Sequence, residues 1–428
     1  MPTSLLPHDL ASIERNPYKA DFPLLAQHPQ LCFLDSAATA QRPEVVLDAE
    51  RQFYTTMNAN PLRGLYRLSV QATQSIADAR EHIARFIGAL DANGAPQGDS
   101  IVFTRNASEA LNLLARTLPS VVKLGPDDEV VISIMEHHSN LIPWQQVCAA
   151  TGAKLVYLRL DDDYSIPEEE IQAKIGARTK IVSVTHVSNV LGVKNDVAAI
   201  AKRAHEVGAV CIVDGAQSVP HIKVDVRDLG CDFLAFSAHK LGGPMGIGVL
   251  WGRSELLEAM PPFLVGGEMI DSVTETDAVW SPVPQKFEAG TQDAAGAYAT
   301  SAALSYLEDH DMAKLEDREH LLARYLCERL QELDFVTVIG PNEPARHIGS
   351  VAFDVRNVHP HDVASILDMH DVCIRAGHHC AQPLLTYLGW HSTCRASIAF
   401  YNDTTDVDRL VDGLTTIWEI FNGRNESL

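Results

Sequence analysis

The sequence predicts an α/β fold: a mostly parallel seven-stranded sheet in a large domain, joined to a smaller α+β domain. Three observations predict it. Short apolar runs alternate with helix-patterned stretches through the middle of the chain. Most of these runs are continuously apolar rather than alternating, which suits strands covered on both faces. After about residue 305 the texture changes to long helical stretches followed by a few short strands. Strand–helix alternation points to parallel pairing, because parallel strands need crossover connections.

Taken in order, Ser100–Thr104 reads as a strand and Ala107–Arg116 as a helix. Glu129–Ile134 is a strand, Leu141–Thr151 a helix, and Lys154–Leu160 and Lys180–Thr185 are strands. Val197–Val207 carries apolar residues at helical spacing, and Ala209–Val213, Phe233–Phe236 and Gly248–Trp251 complete seven strands. Ser301–Leu333 reads as one or two helices, followed by strands near Val336–Ile339, Ser350–Val355 and Cys373–Arg375 and by terminal helices from Val407. The expected division is a large domain over 34–305 and a small one over 306–428, with 1–33 packed on the latter. Ligands of such sheets bind at the carboxyl ends of strands.

Bulk properties narrow the function. The 428 residues are 46% hydrophobic, enough for a large core, and the formal charge is −22. So acidic a chain repels phosphate backbones and anionic lipid, which argues against nucleic-acid and membrane-surface roles. The first twenty residues lack a basic start with an apolar run, and no apolar stretch reaches the ~20 residues of a membrane helix. The expected compartment is the cytoplasm. The eight cysteines form no CxxC pair and no dense framework, so they are expected to be reduced. Cys211 and Cys373, inside apolar runs, are expected to be buried.

The chemistry starts at Lys240, which follows a buried strand and precedes four glycines within residues 242–248. Two readings compete: a surface lysine at a glycine-rich turn, or an amine that forms an imine with an aldehyde cofactor. A P-loop is excluded, because GxxxxGK[ST] is absent. Ser237 and His239 would lie close enough to hold a phosphate. Asp214 ends the run AVCIVD and is either a turn residue or a carboxylate that keeps a pyridinium nitrogen protonated. Gln217 could then bond the cofactor's phenolic oxygen. Asn106-Ala107-Ser108 stands between a strand and a helix, where serine is a plain cap or part of an anion site. Glu136-His137-His138 suggests either a metal site or an imidazole stacked on the cofactor ring.

Together these segments resemble a known family. MEHHSNLIPWQ, THVSNVLG, VDGAQS, SAHKLGGPMGIG, FEAGTQD, RAGHHCAQP and CRASIAFYN are similar to those of cysteine desulfurases of the SufS type. These are class V aminotransferase-group enzymes of the fold-type I pyridoxal phosphate (PLP) fold. The resemblance runs from about Leu34 to about Leu414. It implies that Lys240 binds the cofactor as an imine, Asp214 faces the pyridinium, Gln217 bonds the phenolic oxygen and His137 stacks on the ring. It implies phosphate contacts from Ala107, Ser108, Ser237 and His239, with Thr291 supplied by the second subunit of a homodimer. Asn189 and Arg395 would hold the carboxylate of L-cysteine, arginine being suited to bidentate pairing.

Cys380 would be the sulfur acceptor. Its flanking Arg375, His378 and His379 could favour a thiolate; the alternatives are a structural thiol or a zinc ligand with the two histidines. Two positions depart from the family: Ala107 stands where a hydroxyl residue is common, and Leu62 where a histidine is. Val358-His-Pro-His361 is similar to desulfurases that pass sulfur to a zinc-containing SufU-type scaffold for iron–sulfur cluster assembly. His361 would there be a transient zinc ligand; otherwise it is a loop histidine. Selenocysteine lyase, another class V lyase or transaminase, and a zinc-binding interaction scaffold remain as alternative functions.

Overall fold

The computed structural model describes residues 5–422. After short helical segments, the first strand is the two-residue β1 (Cys32–Phe33). The large sheet is built from β2 (Ile101–Thr104), β3 (Glu129–Ser133), β4 (Lys154–Leu158), β5 (Thr179–Thr185), β6 (Val210–Asp214), β7 (Phe233–Ser237) and β8 (Gly248–Gly252). Their order is β2-β8-β7-β6-β5-β3-β4. All neighbours pair in parallel except β8, which runs antiparallel to both β2 and β7. The fold is therefore α/β with a mostly parallel sheet, as the continuous apolar runs predict.

The reason those runs do not alternate is visible in where successive residues go. Val131, Val182, Val213, Leu234, Phe236 and Val249 enter one core, beneath the helices Arg67–Phe86, Val197–Glu206 and Ala294–Asp309. Their neighbours Val130, Ile132, Ile181, Ile212, Phe233, Ala235 and Leu250 enter the other, beneath Ala107–Val122 and Ile142–Thr151. Side chains alternate faces with period two, and both faces are dry. Each such side chain fully buried contributes roughly 1.5–3 kcal/mol.

A hairpin, β9 (Ile270–Val273) with β10 (Ala278–Trp280), stands apart from both sheets. A second sheet of order β11-β12-β15-β14 is wholly antiparallel and contains β11 (Val336–Ile339), β12 (Ser350–Val355), β14 (Arg375–Gly377) and β15 (Thr393–Ser397). The intervening β13 (Val372–Cys373) pairs in parallel with β1. This sheet shares a core with the helices Met312–Gln331, Pro360–Asp368 and Thr404–Asn422, and Ile13, Cys32 and Leu34 join it. Phe22 and Leu25 pack instead into the first core of the large sheet, so residues before Leu34 divide between the two.

Several boundaries move by a residue or two from the sequence reading, and β11 and β12 match it. Cys373–Arg375 is not one strand: Cys373 ends β13 and Arg375 opens β14. Cys373 is half-buried rather than buried, because the β1–β13 ribbon has only two residues on each side. The terminal helices from Val407 are one helix, Thr404–Asn422. No helix among the described residues is long and apolar enough to cross a membrane.

Candidate active site

The carboxyl ends of the large sheet face the second sheet across a cavity of about 720 Å³. Asp214 is the last residue of β6 and Ser237 the last of β7. Lys240 closes a single 3-10 turn just beyond. His137 caps another such turn after β3, and the helix Ala107–Val122 starts just after β2. Arg375, Cys380 and Arg395 come from the second sheet and its loop. All these residues line the cavity, with Asn189, Gln217, His239 and His361.

The helix start is built for close approach. Asn106 caps it, its Oδ1 accepting from the backbone N–H of Glu109 at 3.0 Å. Gly248 of β8 passes directly beneath: a Cβ there would lie 2.4 Å from Asn106 Cα. Ser237 Oγ accepts from the backbone N–H of Ala107 at 2.9 Å, and the hydroxyls of Ser108 and Ser139 stand 2.6 Å apart. His239 Nδ1 is 3.2 Å from Thr39 Oγ1, and burial pushes its pKa down to about 4, so its ring is neutral. A helix N-terminus ringed by hydroxyls and an imidazole is suited to an anion.

Lys240 has its pKa pushed down to about 8 by desolvation, and Asp214 is the main group working against that. Arg395 adds to the depression and Cys380 opposes it, so these charges share one field. A lysine near 8 has a substantial neutral, nucleophilic fraction. Asp214 is 4% exposed. Burial raises its pKa while the N–H of Ala216 (3.0 Å to Oδ1) and the charge of Lys240 lower it. A carboxylate so buried, accepting little, suits a protonated ring nitrogen. His137 is driven to about 3 by burial and then by Lys240, leaving a neutral flat ring; its Nδ1 accepts from the N–H of Ser139 at 3.1 Å. Gln217 Nε2 donates to the carbonyl of Ala37 at 2.8 Å.

Cys380 is exposed at the cavity, and it and His379 both adopt left-handed backbone, at φ 54° and 52°. The flanking groups differ from the sequence reading. Burial drives His379 to about 3, and its Nε2 stands 2.8 Å from Thr393 Oγ1, so it brings no positive charge to the thiol. His378 is exposed. The positive groups are Arg375 and Arg395, joined by Asp35, a residue the sequence reading did not single out. Asp35 ends the apolar stretch before it, the same strand-end acid signal that marked Asp214. Arg395 also donates through Nη1 to the carbonyl of Asn189 at 2.9 Å, and Asn189 Nδ2 donates to the carbonyl of His379 at 2.7 Å.

Among the described residues no three His, Cys, Asp or Glu side chains converge as a metal site, so neither the Glu136–His138 run nor Cys380 with its histidines forms one. Glu136 instead points into the core, 2% exposed, where Asn140 Nδ2 donates to it at 2.6 Å. Thr291 is exposed and lines a separate cavity with Arg105, Glu109 and Phe263. Within one chain it is not brought to Lys240.

This donor set fits a cofactor with an aldehyde, a basic ring nitrogen and an anionic tail. Residues 32–410 match the family model described as aminotransferase class-V. A probable cysteine desulfurase from Halalkalibacterium halodurans is 48% identical, with 94% of this chain and 97% of that protein covered. A cysteine desulfurase from Haloferax volcanii is 44% identical, covering 94% and 96%. Among solved structures, the S-sulfonic acid form of the cysteine desulfurase CsdA from Escherichia coli superposes with a TM-score of 0.86 at 38% identity, covering 94% and 98%. The apo cysteine desulfurase from Thermococcus onnurineus gives 0.87 at 37%, covering 99% and 100%. The chain belongs to the aminotransferase class-V family. Its cofactor is pyridoxal phosphate.

Proposed function

We propose that Cys380 takes the sulfur of L-cysteine as a persulfide and passes it to an acceptor protein, with release of L-alanine. The chain is a pyridoxal-phosphate-dependent cysteine desulfurase. The observation that carries the residue assignments is the sharing of one cavity by Lys240, Asp214, Arg395 and the exposed Cys380.

Bound cofactor supplies an electron sink for the negative charge left at the substrate Cα. Lys240 would hold its aldehyde, Asp214 its ring nitrogen, Gln217 its phenolic oxygen and the neutral ring of His137 its face. Ala107, Ser108, Ser237 and His239 would hold the phosphate, with Thr291 from a second subunit. Ala107 brings no hydroxyl to this site, and its backbone N–H donates to Ser237 Oγ at 2.9 Å, which orients that serine at the helix start. Arg395 and Asn189 receive the substrate carboxylate. The amine of Lys240, with its pKa lowered by burial, removes the α proton. The thiolate of Cys380 attacks the substrate sulfur, an S–S bond forms as the C–S bond breaks, and the alanine carbon is reprotonated.

The active unit in this reading is a homodimer in the cytoplasm, with the large domain over 34–305 and the small one over 306–428, and the segment before Leu34 packed on both. Val265, Val273, Val279 and Trp280 expose apolar surface on and beside the β9–β10 hairpin, consistent with a subunit contact. The acceptor would be a zinc-holding scaffold of the SufU type in iron–sulfur cluster assembly. In support, His361 is exposed yet lines the cavity, with its ring 5.0 Å from that of His359.

Alanine and sulfide production from L-cysteine tests the assignment. Cys380→Ser should abolish desulfuration while keeping the visible absorption of the lysine-bound cofactor, and Lys240→Ala should lose both. A fully active Cys380→Ser would overturn the persulfide route. His361→Ala should lose stimulation by a zinc-holding acceptor; undiminished stimulation would remove that acceptor class.

A further inference from the structure

Arg375 and Arg395 are direct cross-strand partners in the β14–β15 ladder. Two like charges placed opposite one another repel, and here a single carboxylate answers both. Asp35 Oδ2 accepts from Arg375 Nη2 at 2.7 Å, and Arg375 Nε lies 3.1 Å from each oxygen. Asp35 Oδ1 accepts from Arg395 Nη2 at 3.1 Å. The carboxylate is not free to wander. Its backbone bridges to Ser397 at the end of β15, where Ser397 N–H donates to Leu34 at 2.7 Å and Ala37 N–H donates to Ser397 Oγ at 3.0 Å. The two arginines differ in setting: the Arg395 side chain is 3% exposed and that of Arg375 47%. With Nη1 and Nη2 of Arg395 engaged, its Nε is buried and has no partner. Each Nη still carries a second N–H, so the guanidinium keeps charge-assisted donors for an incoming group.

We propose that Asp35 is a positioning residue for L-cysteine, acting through the two arginines. It cancels their mutual repulsion and fixes the Arg395 guanidinium in the pose that receives the substrate carboxylate. Through Arg375 it also steadies β14, whose last residue, Gly377, leads directly into His378, His379 and Cys380. This rests on the reading of Arg395 as the carboxylate site and of Cys380 as the sulfur acceptor.

The test compares holoenzyme variants by KM and kcat for L-cysteine and by the rate at which iodoacetamide alkylates Cys380. Asp35→Asn leaves the arginines facing each other and should raise KM about tenfold, the loss expected for one charge-assisted hydrogen bond. With the β14 stem loosened, alkylation should quicken by about threefold while kcat stays within about twofold. Adding Arg375→Gln removes the repelling partner and should bring KM back to within about threefold of wild type, a coupling that independent residues do not show. A lowered or unchanged KM in Asp35→Asn, or a double variant no better than the single, overturns the proposal. Should Asp35→Asn fail to fold, Asp35→Glu keeps the charge but displaces it by a methylene. KM should still rise by about threefold, and wild-type KM would overturn the proposal. Arg395→Ala separates the two ideas: no change in KM there defeats the carboxylate reading itself, whereas a raised KM there with a silent Asp35→Asn defeats only the role of Asp35.

Discussion

The backbone N–H of His138 donates to the carbonyl oxygen of Cys380 at 2.6 Å. His138 also accepts, through Nε2, from the N–H of Gln382 at 3.2 Å. These two bonds clip the cysteine loop to the turn that carries His137. The loop is held by backbone, so its pose does not depend on the thiol.

Substitutions at Cys380 should therefore separate chemistry from stability. Cys380→Ser and Cys380→Val should both stop desulfuration. Only valine should also lower stability, by about 1–3 kcal/mol, because a β-branched residue is strained at φ 54°. Thermal melts of the two variants check this; equal melting temperatures would contradict it.

Cofactor capture should report the depressed Lys240 directly. Only the neutral amine attacks an aldehyde, and burial brings its pKa from 10.5 to about 8. Mixing cofactor-free chain with pyridoxal phosphate should give a rate that rises about tenfold per pH unit below 8 and then levels. A rate still climbing steeply beyond pH 9.5 would place the amine near its ordinary value.

Glu136 offers a stability measurement with a defined sign. Ser133 Oγ, the N–H of Thr185 (2.9 Å) and Asn140 Nδ2 (2.6 Å) all donate to it, yet burial outweighs them and raises its pKa from 4.5 to about 8. A carboxyl with a raised folded pKa contributes stability in full below the unfolded value of 4.5 and loses it as pH rises through about 8. Urea unfolding of wild type relative to Glu136→Gln should show that advantage shrinking across this window. Below pH 4.5, where the advantage is full, the variant should be weaker by about 1–3 kcal/mol. Asn140 cannot flip to accommodate the new amide, because its Oδ1 already accepts from Trp144 and Ser183. A pH-independent difference would show that Glu136 does not titrate there.

Gly248→Ala should damage cofactor binding more than a surface glycine change would. The added methyl meets the backbone of Asn106, with atoms at 2.4, 2.6 and 2.9 Å, so the helix start must shift. Weaker retention of pyridoxal phosphate on dialysis, with a lowered melting temperature, is the expected pair of results. Unchanged retention would mean that the start of Ala107–Val122 is not part of the anion site.

Much of this was legible in the chain because one physical rule governed it. Residues of β6 and β7 are apolar on both faces, and the polar groups that end them, Asp214 and Ser237, stand where the sheet stops. The helices Glu44–Thr56 and Arg67–Phe86 and the strand β15 were not anticipated. In β15, Thr-Cys-Arg-Ala-Ser shows no apolar period, since Arg395 is buried by ion pairing rather than by hydrophobicity. Motifs named most of the residues lining the cavity, from Lys240, Asp214 and His137 to Arg395 and Cys380. Asp35 and Thr39, which support cavity residues from behind, were not named, because their partners lie 360 and 200 residues away and no local pattern announces them.

The bed that residues 34–37 make on Ser397 also constrains synthesis. A chain emerging from the ribosome amino end first must carry its early segment without this partner until Ser397, some 360 residues later, has been translated. Long-separation contacts form late and slowly. The substrate-side wall therefore closes only once β15 has been made. A product truncated before β15 would retain the motif around Lys240 yet have no Arg395 and no seat for Asp35.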